Sequence, residues 1–287
     1  MLLTPRYDAP PIIAVEPRLA GPHPVVQQRR RLEALLDGLR DDEWRQPSRC
    51  DAWSVQDVIT HLVSTNRFWA LSITQALAGE PTRFLASFDP VASPAQLVDT
   101  TRGTPPADTL AAFRASNAEM LDAIEALDDN GWDSVGEAPP GHVPVWLVAD
   151  HALWDCWVHE RDIVLPLGRP PVEDAHEIIT CLRYAAGLGQ AFEVSSGGGI
   201  GGTAVLEVTD PDARIVVSAT AEQVRVHDGD APAGAHEARL AAVPALEMLS
   251  RREAGEPVPD AIAWLAAGVA VVFDQDDVEP DEVSEPV

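Results

Sequence analysis

D-A-W-S-V-Q-D-V-I-T-H-L, residues 51–62, reads as the start of a helix that carries a histidine into the protein interior. Ser54 and Asp57 have the N-cap and N3 spacing of a capping box, and Trp53 and Val58 are placed to close a hydrophobic staple around it. Val55, Val58, Ile59 and Leu62 then recur on one stripe, which predicts a helix from Ser54 to about Leu77. His61 lies about 60° from Val58, at the margin of the face that turns toward a core. An imidazole there is either a hydrogen-bonded core residue or a ligand.

About ninety residues on, W-D-C-W-V-H-E-R-D-I, residues 154–163, is a second helical segment dense in chemistry. At about 100° per residue, Asp155 and His159 sit about 40° apart, and Asp162 falls within about 20° of Asp155 on the other side. A carboxylate and an imidazole four apart, joined by a histidine from a distant helix, make a three-ligand set that leaves a coordination position open. His151 stands four residues before Asp155 and forms a rival pair of the same geometry. Spacing does not choose between them, and an i, i+4 pair of this kind is also an ordinary helix-surface interaction.

Around these segments the chain organises into helices and then strands. Residues 1–22 are proline-rich without periodicity and are expected to form a loose, disordered arm. Val25, Leu32, Leu35, Leu36 and Leu39 mark a first helix. Residues 79–108, with Pro81, Pro90, Pro94, Pro105 and Pro106, make a crossover far longer than the ~2–8 residues that join adjacent bundle helices. A third helix follows on Leu110, Phe113, Met120, Leu121, Ile124 and Leu127, and stops near Asn130-Gly131. A loop with Pro139, Pro140 and Gly141 leads to Pro144 and a fourth helix ending by Pro166. Four helices with one long crossover make a bundle, 23–169, and bundle cores commonly host metals. Beyond it come a helix at 173–192, the β-branched runs T-A-V-L-E-V-T, R-I-V-V-S-A-T and Q-V-R-V-H, and helical segments in L-A-A-V-P-A-L-E-M-L-S-R-R and A-I-A-W-L-A-A-G-V-A-V-V-F. The reading is mainly α: a four-helix bundle followed by a small α+β domain over 170–273, then an acidic disordered tail at 274–287.

Composition removes several classes of function. The formal charge is −26, from 46 acidic and 20 basic residues, which argues against nucleic acid and anionic membrane surfaces as partners. Every basic residue is arginine, so a P-loop lysine and a lysine Schiff base are both excluded. Cys50, Cys156 and Cys181 are widely spaced without C-x-x-C, so neither a disulfide framework nor a cysteine zinc knuckle is expected. The N-terminus lacks an export signature and no run approaches the ~20 apolar residues of a membrane span. The expectation is a cytoplasmic protein with reduced thiols, as a monomer or small homo-oligomer.

The two motifs, W-S-V-Q-D-V-I-T-H-L and W-D-C-W-V-H-E-R-D-I, in this order and before an α+β segment, resemble the DinB-like superfamily and specifically its mycothiol-dependent maleylpyruvate isomerase branch. The resemblance spans roughly residues 25 to 273. It implies a DinB-like metal-binding bundle with His61, Asp155 and His159 as ligands, a divalent metal that is zinc, and mycothiol as the thiol the metal activates. Asp155 departs from the pattern, since a glutamate is more usual there and its carboxylate reaches one methylene further. Asp162 then reads as a support for the ligands, accepting a ring N–H or bonding backbone beside them; an exposed helix-end carboxylate is the plain alternative.

In the family reaction a thiolate adds to a conjugated double bond, the new single bond rotates, and elimination returns the trans isomer. The resemblance also implies an arginine of the second domain that holds an anionic substrate, and Arg251 or Arg252 is the nearest match; an arginine capping helix carbonyls is the ordinary alternative. Cys156, about 100° around the helix from Asp155, reads as a buried structural thiol, and His142 as a surface histidine or one lining the entrance. The functional expectation is a mycothiol-using isomerase or S-transferase acting on a small electrophile. The alternative is a non-catalytic metal- or ligand-binding protein on the same scaffold.

Overall fold

The structure is a computed structural model, and it describes residues 4–87, 89–90, 92–198, 201–252 and 257–269. The helical half is built from α1 (Val25–Asp37), α2 (Val55–Leu77), α3 (Ala92–Asp99), α4 (Pro106–Glu125), α5 (Asp129–Asp133) and α6 (Val145–Val164). The bundle proper is α1, α2, α4 and α6, with α2 packed on both α4 and α6 and α1 closing the other side. The capping box at the start of α2 forms as its sequence dictates, with Asp57 N–H donating to Ser54 Oγ and Ser54 N–H donating to Asp57 Oδ2 at 2.9 Å. Such a cap contributes about 1 kcal/mol. It also fixes where the helix begins, and so the height at which His61 enters the bundle.

The second half carries α7 (Ala175–Ser195), α8 (Ala242–Leu249) and α9 (Asp260–Ala266) on a five-stranded mixed sheet. Its strands are β1 (Ile13–Glu16), β4 (Gly202–Thr209), β5 (Ala213–Ala219), β6 (Val224–Asp228) and β7 (His236–Ala241), in the order β1-β6-β5-β4-β7. The two edge strands pair in parallel with their neighbours and the inner pairs are antiparallel. A separate hairpin, β2 (Val135–Ala138) with β3 (Gly141–Pro144), precedes α6. One core cluster runs from the bundle into the sheet, joining Trp69, Trp154 and Trp157 to Tyr184, Leu206 and Val226, and a second, with Leu32, Trp44, Ile59, Leu62 and Phe113, fills the other end of the bundle. Among the described residues no helix is long and apolar enough to cross a membrane.

Several sequence expectations change here. The segment expected as a disordered arm contributes β1 to the sheet, with Ile13 and Val15 buried and paired in register with Val224 and Val226. Four residues between prolines carry no periodicity, and the ladder partner that stabilises them lies two hundred residues away. The third bundle helix ends at Glu125, and Asn130-Gly131 falls inside the short α5, which Asp128 caps by accepting from Gly131 N–H at 2.7 Å. The Pro139-Pro140-Gly141 loop is the turn of the β2/β3 hairpin, where Gly141 has φ +122° and an added Cβ would sit on the Arg6 backbone. Strand β7 was not anticipated at all. The expected acidic tail at 274–287 and the end of the α+β segment at 270–273 lie outside the described residues.

Candidate metal centre

The lower end of the bundle brings His61 of α2 together with Asp155 and His159 of α6. Their ligand atoms lie within 4.8 Å of one another. One carboxylate oxygen, Asp155 Oδ1, stands 3.6 Å from His61 Nε2 and 3.5 Å from His159 Nε2. These separations are longer than the ~2.7–3.2 Å of a hydrogen bond. They match the ~3.3–3.5 Å edge of a tetrahedron whose metal–ligand bonds are about 2.0–2.1 Å. The two rings meet edge to face with centroids 4.9 Å apart, and Trp53 packs against the outer side of His61 at 5.3 Å. Asp155 thus reaches both imidazoles despite its short side chain, and its other oxygen accepts from Thr65 Oγ1 at 3.3 Å.

Behind His159 the site is rigid. Asp162, fully buried, accepts from His159 Nδ1 at 3.1 Å and from Cys50 Sγ at 3.2 Å. That bond holds a proton on Nδ1 and leaves Nε2 to face Asp155, the arrangement that orients histidine ligands in metal sites. Two guanidinium groups compensate the buried carboxylate: Arg49 Nε donates to Oδ1 at 3.0 Å, while Arg252 Nε and Nη2 bind both oxygens at 3.0 and 2.8 Å. Burial opposes the charged form of Asp162, but His159 and Arg252 outweigh it and hold its carboxyl far below the usual range. Burial likewise disfavours a charged His159, yet its bonds to Asp162 and Cys50 carry it up to about 10. His61 goes the other way, because burial outweighs the attraction of the Asp155 carboxylate.

Cys50, His159 and Asp162 also form a group of potential ligands. The donor chemistry favours the first group. A cation beside Asp162 would sit among two guanidinium charges, whereas His61 and His159 face a carboxylate with no arginine hydrogen-bonded to it, and a bound metal would take the place of the Nε2 proton of His159. His61 and Asp155 side chains also remain 13% and 12% exposed, so an external ligand has an approach.

Arg252 is brought to this cluster by the way α8 ends. Arg252 N–H bonds Glu247 O at 2.8 Å and Arg251 N–H bonds Met248 O at 3.1 Å, a Schellman turn with Arg251 in the left-handed conformation, φ 55°. An arginine stands where glycine is usual, and the turn throws the next side chain back onto Asp162. Arg251 itself is exposed. Glu247, on the same helix end, accepts from Arg49 Nη1 at 3.0 Å and from Arg161 Nε at 2.5 Å. Sequence reasoning had singled out neither Cys50 nor Arg49; their sign was an arginine–cysteine pair immediately ahead of the capping box, in a loop whose backbone also bonds Asp162 O.

The remaining candidates lie elsewhere. His151 points into the core, with Nδ1 2.7 Å from Tyr184 Oη and its ring among Trp69 and Trp154, and burial lowers it to about 4. Cys156 is fully buried and its thiol is pushed up to about 12, chiefly by burial. His142 lies in β3, with its ring nitrogens 2.8 and 3.1 Å from the Thr82 and Tyr7 carbonyl oxygens.

The molecule is of the class of four-helix bundles joined to a mixed-sheet unit, with a two-histidine, one-carboxylate cluster at one end of the bundle. Residues 25–164, the helical half of the chain, match the mycothiol maleylpyruvate isomerase N-terminal domain, and that segment belongs to this domain family. Two solved structures share its fold. One is the mycothiol-dependent maleylpyruvate isomerase, with TM-score 0.56, and the other is a histidine-to-alanine mutant of a protein of that name, with TM-score 0.57. Each is 15% identical, over 82% of this chain and 92% of the other. No curated protein matches.

Proposed function

We propose that this chain is a metal-dependent enzyme that uses mycothiol to attack a small electrophile bearing a conjugated double bond, with His61, Asp155 and His159 as metal ligands. The observation that carries this reading is one carboxylate oxygen held 3.5 and 3.6 Å from two imidazole nitrogens, with Asp162 fixing the tautomer of one of them. A zinc ion suits two nitrogens and an oxygen, and it would deprotonate a thiol coordinated at the remaining position.

The chain's own residues do the rest. Asp162 keeps the Nδ1 proton of His159 in place, so Nε2 is the nitrogen that would give up its proton to bind a metal. Arg49 and Arg252 neutralise Asp162, which prevents a second buried negative charge from competing for the metal. Arg252 reaches past Asp162 to within 3.7 Å of Cys50 Sγ, and this places a cationic group beside the centre where a substrate carboxylate would be drawn. Trp53 and Thr65 fix His61 and Asp155 from the outer side. Cis–trans isomerisation and S-transfer of mycothiol both begin with the same attack, so both belong to this proposal.

Metal analysis of the purified protein beside His159→Ala tests the ligand set. About one zinc per chain in the wild type and none in the variant is expected; equal zinc in both would sink the site. Mycothiol titration of the zinc-loaded protein, followed by assay of maleylpyruvate and other unsaturated electrophiles, then tests turnover. Zinc bound without thiol consumption or isomerisation would leave a metal-binding protein and not an enzyme.

A further inference from the structure

At the opposite side of the bundle, between α6, α7 and the chain leading into α1, lies a cleft of about 100 Å³ bounded by Trp132, Trp146, Arg18, His23, Asp150 and Arg183. Its lining is anomalous for this protein. A chain with 46 acidic and 20 basic residues presents here two arginines against one aspartate. That aspartate is already engaged, since Asp150 Oδ1 is 3.0 Å from His23 Nε2.

Arg183 is the decisive residue. It is 3% exposed and projects from the middle of α7. Nη1 donates to Pro17 O at 2.9 Å, and Nε lies 3.4 Å from Oδ1 of Asp228, a half-exposed side chain. Nη2 is buried and has no hydrogen-bond acceptor among the described residues. A buried guanidinium with unused donors is poised for a planar acceptor that offers two oxygens at once. The aromatic wall beside that head is already assembled: His23 stacks on Trp132 at 5.5 Å and 16°, the Arg18 guanidinium sits 5.4 Å over the same indole, and Trp146 lines the cleft with them.

We propose that this cleft is a second binding site, for a small planar carboxylate whose anionic end pairs with Arg183 and whose apolar portion lies between Trp146 and the wall formed by Trp132, His23 and Arg18. It is separate from the metal centre. Asp150 precedes His159 by nine residues, roughly 13 Å along α6, and faces about 140° away from Asp155 around that helix.

The test is calorimetric titration of the full chain with benzoate, beside Arg183→Gln and Arg18→Gln. Benzoate is expected to bind the wild type about tenfold more tightly than Arg183→Gln and severalfold more tightly than the exposed-site Arg18→Gln, which keeps the comparison valid if the buried variant misfolds. Benzamide and inorganic phosphate are expected to bind at least about tenfold more weakly than benzoate, and zinc loading is expected to leave benzoate affinity unchanged. Absence of benzoate binding up to 10-fold millimolar concentrations, equal affinity for benzamide or phosphate, equal affinity in Arg18→Gln and wild type, or binding seen only with zinc would each overturn the assignment.

Discussion

His151 and His159 stand at equal distances on either side of Asp155 along the same helix, yet they belong to different worlds. His159 meets Asp162 and Cys50 and is carried up to about 10, whereas His151 meets Tyr184 and the rings of Trp69 and Trp154 and falls to about 4. The helix supplies both with the same relation to Asp155. What separates them is the side chains each one meets: His61 of α2 with Cys50 and Asp162 for one, Trp69 of α2 with Tyr184 of α7 for the other. Identical spacing produces a candidate ligand or a core residue according to the tertiary neighbours, and a carboxylate within hydrogen-bond reach of the far ring nitrogen marks the difference.

Exchanging the fates of these two histidines should be the hardest change to make. His159→Ala is expected to abolish zinc binding and any thiol turnover, while His151→Gln retains full zinc content; metal analysis of both variants checks this, and zinc loss in His151→Gln would reverse the assignment of the pair. The next effect is on stability. The unfolded chain protonates His151 near 6.5 and the folded chain only near 4, so between those values the unfolded state binds more protons and stability falls as pH falls. That window is worth about 3 kcal/mol. Urea unfolding at pH 7 and pH 4.5 should show the acid loss shrinking by about that amount in His151→Gln.

Smaller again is the contribution of the bond behind His159. Asp162→Asn keeps the shape and removes the charge, and is expected to weaken zinc affinity about 10- to 100-fold, measured by competition with a chelator. An unchanged affinity would mean that Asp162 serves the arginines alone. The least effect belongs to Cys156. Replacing it by alanine should cost about 1 kcal/mol of packing and leave zinc content as it was.

The bundle was legible in the sequence because its helices carry their own instructions. Ser54 and Asp57 set the start of α2, and the apolar stripe that follows needs no knowledge of what it packs against. The edges of the sheet were not legible for the opposite reason. Ile13 and Val15 form a strand only because β6 receives them, and β7, whose exposed positions outnumber its buried one, lacks the alternation that marks a strand. At the site, His61, Asp155 and His159 were readable as a set from helical spacing and resemblance. Arg49 and Cys50 were not, since they lie in a loop without period, and Arg252 was distinguishable from Arg251 only once the turn ending α8 was seen.

The paired arginines at that seam also bear on how such a protein changes over generations. Glu247 answers Arg49 and Arg161, and Asp162 answers Arg49 and Arg252, across the boundary between helical and sheet units. A sheet unit transplanted from a relative without a carboxylate at the Glu247 position would leave Arg161 to Glu173 and the Trp157 ring and deprive Arg49 of one of its two partners, with a penalty of several kcal/mol. A change on one side of the seam is therefore expected to need a matching change on the other, because the same buried charges belong to both halves.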